Sequence, residues 1–123
     1  MIIQFISAEE IIQFHDRILK MTPGVQGMAD RGRAEALLYR VLNKHVYEGV
    51  NDIFVLAAMH LLAISRGHIF KDGNKHTALF ITLLFLRRNG INLPGNSRFV
   101  ELTVSAAAGR VSLDEIAEQL RLT

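Results

Sequence analysis

Apolar residues recur at helical spacing along most of the chain. Ile11, Phe14, Ile18 and Leu19 share one face of a segment that opens at Ser7-Ala8-Glu9-Glu10. Ser followed three residues on by Glu is a capping box, so a helix is expected from there to about Lys20. Ala34, Leu37, Leu38, Val41 and Leu42 mark a second helix from about Asp30 to His45, and Gly49 ends that region. Asn51 or Asp52 caps a third, which runs to Arg66. Gly67 follows where a left-handed C-terminal cap is expected. A fourth starts near Asn74 and ends at Gly90, with Arg87 and Arg88 in the last turn, where the helix dipole favours cations. A fifth runs from about Phe99 to Ala108, closed by Gly109. Ser112-Leu113-Asp114-Glu115 is a second capping box and opens the last helix.

Two prolines occur, and both fall in predicted loops: Pro23, with Gly24 and Gly27 between Met21 and Ala29, and Pro94 before the fifth helix. Ile2–Ile6 has the look of a short strand but no convincing pairing partner. The expected fold class is therefore all-α, a bundle of six helices. With no linker, repeat or low-complexity stretch, residues 1–123 read as a single domain. The third and fourth helices are apolar nearly all round, which places them at the centre of the bundle. The segment between them, Gly67–Gly73, becomes a loop held by the two most buried elements. A rigidly supported loop is a good place for chemistry.

Composition narrows the function classes. Half the residues are apolar and 21% are charged, which fits a packed domain and argues against disorder. The formal net charge is only +2, so direct nucleic-acid binding is not expected on charge. There is no cysteine, which removes thiol chemistry and fits a cytoplasmic location. Met1 to Phe5 carry no basic n-region, so no signal peptide is expected. The apolar runs Ile53–Ile64 and Thr77–Leu86 fall short of the roughly 20 residues that cross a bilayer, so no membrane partner is expected.

The candidate chemistry lies in Gly67-His68-Ile69-Phe70-Lys71-Asp72-Gly73-Asn74-Lys75-His76. Gly73 is free to take a backbone shape that other residues avoid. The first amides of the following helix point back into the loop and, with the dipole, make an anion site. Asn74, Lys75 and His76 add side-chain donors, and a phosphate is the natural guest. Asp72 beside bound phosphates is a natural magnesium ligand. Histidine is the side chain that exchanges a proton near neutrality, which suits His68 to a general base. Phe70 is expected to point into the core and anchor the loop. The segment is not a P-loop: Asn74 intervenes before Lys75, and a helix rather than a strand precedes it.

Plainer readings compete. Asp72 or Asn74 would also serve as a helix cap. Arg66 would pass for a solvated C-terminal charge, though its place before the loop suits a phosphate partner. His60 falls on an apolar face and reads as core. His15 and His45 read as structural. No His and carboxylate pair has zinc-ligand spacing. Lys75 in a first turn works against the helix dipole, which favours a functional role.

His-x-Phe-x-Asp-Gly-Asn-Lys at a loop-to-helix junction resembles the signature of the Fic/Doc family, in its death-on-curing branch. His15-Asp16, Gly32-Arg33-Ala34-Glu35-Ala36, Arg66-Gly67 and Leu84-Phe85-Leu86-Arg87-Arg88-Asn89-Gly90 extend the resemblance over essentially the whole chain. The resemblance implies His68 as general base and Asp72 as magnesium ligand. It implies Arg66, Gly73, Asn74, Lys75 and His76 around the phosphates of ATP, with His76 where the branch has arginine. Lys75 stands where the adenylyl-transferring branch has glycine. That difference implies transfer of the terminal phosphate of ATP to a Thr or Ser hydroxyl of a translation factor, elongation factor Tu by analogy. The implied protein is the toxin of a toxin–antitoxin system, paired with an antitoxin of the prevent-host-death type whose C-terminal segment folds onto it. Two alternatives stay open: a protein adenylyltransferase on the same scaffold, and a catalytically weakened antitoxin-binding protein.

Overall fold

A computed structural model describes residues 2–21, 29–71 and 73–123. Its helices are α1 (Ala8–Met21), α2 (Arg31–Glu48), α3 (Ile53–Arg66), α4 (Asn74–Arg88), α5 (Ser97–Ala107) and α6 (Leu113–Arg121). No strand occurs among the described residues, and the all-α expectation holds. Pro23, Gly24 and Gly27 of the first predicted loop lie outside the described residues, as does Asp72.

Local chemistry sets the helix starts. The Glu10 amide donates to Ser7 Oγ and the Ser7 amide to Glu10 Oε1, each at 3.1 Å. Ser112 and Glu115 form the same reciprocal pair at α6. Asp30 accepts from the Arg33 amide at 3.0 Å, and Asp52 from the Phe54 amide at 2.9 Å. Asn96 accepts from the Arg98 amide at 2.8 Å, so α5 starts earlier than Phe99. Helix α2 continues past His45 to Glu48 and closes on Gly49 at φ 69°, the left-handed conformation that glycine adopts at little cost.

The opening segment does find a partner, of an unusual kind. The Gln4 amide donates to Asn89 Oδ1 at 2.8 Å, and Asn89 Nδ2 donates to the Gln4 carbonyl at 2.9 Å. One side-chain amide just past α4 thus does what a neighbouring strand would do. Ile3 and Ile6 are buried beside it.

Helix α3 is the hub and packs against α2, α4, α5 and α6. Leu56, Ala57, Ala58, Leu61 and Ile64 of α3 are buried with Ala78, Ile81, Phe85 and Leu86 of α4. Alanines at the contact let the two backbones approach. Each fully buried Leu, Ile or Phe contributes about 1.5–3 kcal/mol. No helix among the described residues is long and apolar enough to cross a membrane.

His60 sits inside this core, 1% exposed, stacked on Phe85 with 4.5 Å between ring centroids. Its Nδ1 lies 2.7 Å from the Leu56 carbonyl, which only accepts, so Nδ1 carries the hydrogen. Nε2 has no hydrogen-bond partner among the described residues. Burial pushes its pKa down from 6.5 to about 4, against the smaller opposing effect of the Leu56 bond. The unfolded chain therefore takes up a proton that the folded chain refuses, and stability is lost as pH falls from 6.5 toward 4. Glu10 and Asp52 have lowered pKa values, and their contribution fades only below their ordinary values of 4.5 and 3.8. Urea unfolding at pH 7.5 and pH 5 should therefore isolate His60. Wild type should lose about 2 kcal/mol between the two. His60→Leu should lose far less, and an equal loss in both proteins would refute the assignment.

Candidate active site

Between α3 and α4, contacts fix Gly67, Ile69, Phe70 and Gly73. Gly67 was expected in a left-handed cap and is not: its φ is −76° and its ψ −12°, an ordinary right-handed conformation. The reason for glycine is space. A Cβ there would stand 2.5 Å from Leu37 Cδ1 and 2.6 Å from the Ala63 carbonyl oxygen, well inside contact distance. The left-handed turn falls instead on His68, at φ 50°, the only non-glycine residue with positive φ among the described ones. That conformation costs an L-residue about 1–2 kcal/mol, and such strain clusters at functional sites.

Other contacts fix Ile69, Phe70 and Gly73. Ile69 is buried, and its carbonyl accepts from the Asp30 amide at 2.7 Å, which ties the start of α2 to the loop. Arg33 Nη1 donates to the Gly67 carbonyl at 3.4 Å. Phe70 is 4% exposed and points inward, as expected. The His15 ring from α1 lies flat on it, 3.5 Å between centroids and 2° from parallel. His15 is itself buried, with Nδ1 3.2 Å from Asp16 Oδ1. On the other side Asn74 Nδ2 donates to the Phe70 carbonyl at 2.8 Å, and the Phe70 amide donates to Asn74 Oδ1 at 3.2 Å. Gly73 follows at φ 80°, and a Cβ on it would press on the His15 ring and Leu19, each at 3.3 Å. Glycine is required there twice over, by φ and by space.

The predicted residues take distinct places on this frame. His68 is exposed, held between buried Ser65 and Ile69. Asp72 lies outside the described residues. Gly73 is the N-cap of α4 and offers no capping side chain, unlike the caps of α2, α3, α5 and α6. Lys75 and His76 are exposed in the first turn of α4. They border an apolar groove of 390 Å³ with Ile18, Phe80 and Val104. Asn74 is neither a cap nor fully free. One of its two N–H bonds is spent on the loop, which leaves the other and its backbone amide for a ligand. Arg66 is exposed, with Nε bonded to the Ala106 carbonyl at the end of α5 at 2.7 Å.

Three residues act on the loop in ways no local pattern marks. His15, Asp30 and Arg33 all hold the loop from helices distant in the chain. His15-Asp16 and Arg33 stood out in the sequence only as points of family resemblance. Nothing in local periodicity signals a contact from α1 or α2 to residues 67–70.

With this geometry in place, comparison with known proteins has a clear result. The Fic/DOC family model matches residues 5–86, which includes the whole loop and most of α4. "Protein kinase doc" of Escherichia phage P1 is 47% identical over 116 residues, covering 94% of this chain and 92% of that protein. The chain belongs to the Fic/Doc family.

Proposed function

We propose that this protein is the toxin of a toxin–antitoxin pair and a protein kinase. It transfers the terminal phosphate of ATP to a Thr or Ser hydroxyl of a translation factor, with elongation factor Tu as the proposed target in the cytoplasm. The observation that carries this reading is Lys75, an exposed cation in the first turn of α4. The helix dipole disfavours a cation there, and a bound polyphosphate reverses the balance. The activity named for the phage P1 relative supports the same reaction.

The chain's own groups would divide the work as follows. The acceptor hydroxyl oxygen forms a bond to the terminal phosphorus, and the bond from that phosphorus to the bridging oxygen of ADP breaks. His68 takes the hydroxyl proton, and ADP leaves with the bridging oxygen's electrons. Lys75, the α4 amides, the remaining Asn74 donors, His76 and Arg66 hold the phosphates and offset developing charge. The strained His68 backbone is fixed on both sides, so the base needs little reorganisation. Among the described residues no group of three or more His, Asp or Glu is arranged to hold a metal. Magnesium needs no such cage, since it takes one or two carboxylates along with substrate phosphates. Asp72, next to the N-cap glycine in sequence, is the carboxylate assigned to it. When bound, magnesium would neutralise charge on the transferring and leaving phosphates.

The apolar groove beside Lys75 and His76 suits the antitoxin. Phe80, Val100 and Val104 are 41, 54 and 44% exposed there, an apolar face open to solvent. An amphipathic antitoxin helix would cover it and crowd the phosphate end of the site.

Three outcomes are expected. ATP labelled on the terminal phosphate should label elongation factor Tu, and ATP labelled on the innermost phosphate should not. The reverse pattern would establish adenylyl transfer instead. His68→Ala and His68→Gly should both lose transfer and growth inhibition. Thermal unfolding should find the glycine variant the more stable of the two by about 1 kcal/mol, since glycine relieves the left-handed strain at some entropic cost. His76→Arg should speed transfer about tenfold at saturating ATP, because arginine grips phosphate with two charge-assisted bonds. A rate no higher than wild type in a steady-state assay would remove His76 from the phosphate site.

A further inference from the structure

On the other flank of the loop lies a second groove, 570 Å³, between α2, α3 and the start of α6. It ends at Arg66 and Gly67, so it opens one residue from His68. Its floor is apolar, with Met59 and Leu62 half-buried along α3. Its rim carries Arg33, Arg40, Lys44 and Arg66, and no carboxylate lines it among the described residues. Three of these cations already have partners: Arg33 with Asp30 at 3.2 Å, Lys44 with Glu48 at 2.9 Å, and Arg66 with the Ala106 carbonyl at 2.7 Å. Arg40 is exposed and makes no ion pair among the described residues.

We propose that this groove docks the phosphoryl acceptor, through a segment of the acceptor protein in which an apolar side chain is flanked by carboxylates. The proposal rests on the kinase reading above. A protein acceptor must be held so that one hydroxyl reaches His68 and no other does, and a loop of a few residues cannot supply that grip alone. Of the proposed phosphate donors, Lys75 and His76 lie on the opposite flank of the loop, in the groove bordered by α1, α4 and α5, and Arg66 stands at the boundary, at the end of the second groove and bonded to Ala106 of α5. That division leaves the flank at Gly67 for the second substrate. An apolar floor takes a buried anchor and excludes water, while a rim of one sign selects a partner of the other and speeds encounter. The tethered cations keep their charge but have local partners. Arg40 is the one left to pair with an incoming carboxylate.

The test uses the full chain with purified elongation factor Tu as acceptor and magnesium ATP as donor. Arg40→Glu should raise the KM for the acceptor about tenfold or more, with kcat at saturating acceptor and the KM for ATP changed less than about twofold. Arg40→Lys keeps the charge and should stay close to wild type. Equal thermal midpoints would show that both variants fold. An acceptor KM unchanged in Arg40→Glu would overturn the proposal while leaving the kinase reading intact. So would a loss of antitoxin affinity, or of binding to a DNA duplex, with acceptor KM unchanged. Absence of transfer by the wild-type protein itself would overturn the kinase reading and this proposal with it, a result recognisable before any variant is made.

Discussion

The stack of the His15 ring on Phe70, 3.5 Å between centroids, is the contact on which the placement of the loop depends. Phe70 cannot leave the core without exposing a large apolar ring and undoing its two backbone bonds to Asn74. Gly67 is fixed at the other end by the close approach of Leu37 and Ala63. Between these points the chain must turn from the end of α3 to a buried Ile69 whose carbonyl is already bonded to Asp30. His68 is the residue left to make the turn, and it makes it at φ 50°. Its strain is a consequence of the anchors around it. Those anchors turn its side chain into an exposed group on a rigid support, which suits a base that must meet a hydroxyl from another molecule.

The anchors in turn depend on α3 and α4. Both helices contribute buried residues from end to end of the core, so the two ends of the loop are attached to the centre of the bundle. Glu10 pairs with Arg88 and links the start of α1 to the end of α4, and that guanidinium holds the carboxyl below its ordinary range. Burial raises the pKa of Asp52, but Arg121 and the amides of Val55 and Phe54 outweigh it and the net shift is downward. Asp52 thus caps α3 and pairs with Arg121 of α6 at 2.8 Å. Such partly exposed pairs contribute modestly, about 1 kcal/mol or less each. They set register more than stability.

What was legible in the sequence was local. Both capping boxes, the buried third and fourth helices and the inward Phe70 follow from spacing and side-chain chemistry within a few residues. Two features are not local in this way. The start of α5 at Ser97 is hidden in the sequence because Pro94 and Gly95 extend the loop signal up to the Asn96 cap. At Gly67 the position after a helix suggested a left-handed cap, whereas the real demand came from Leu37, on another helix. The same limit applies to Asn74, whose type suits a cap or a phosphate but whose side chain latches Phe70. Only tertiary neighbours decide between such uses, and they are not visible in one helix at a time. Family membership was legible because the signature falls in consecutive residues.

Net charge shows the same contrast between local and global. A total of +2 is unremarkable, yet it averages over an uneven surface. Glu9, Glu10, Asp52 and Glu118 are occupied by Arg31, Arg88 and Arg121 on outer edges of the bundle. Arg40, Lys71 and Lys75 make no ion pair among the described residues, and Arg66 bonds only a carbonyl oxygen there. Apart from Arg40, these cations belong to the loop or the helix ends that flank it, and Arg40 lies in the groove that opens at Gly67. Lys71, Lys75 and Arg66 thus bring cationic groups to the loop and the helix ends that flank it, where Asp30 and the loop's own Asp72 oppose them in part. Exposed charges farther apart than a Debye length, about 8 Å at physiological salt, are largely screened from one another. What an incoming anion feels is the local set around His68, in which the cations of the loop and the groove are set against Asp30 and Asp72, while the carboxylates on distant edges count for little.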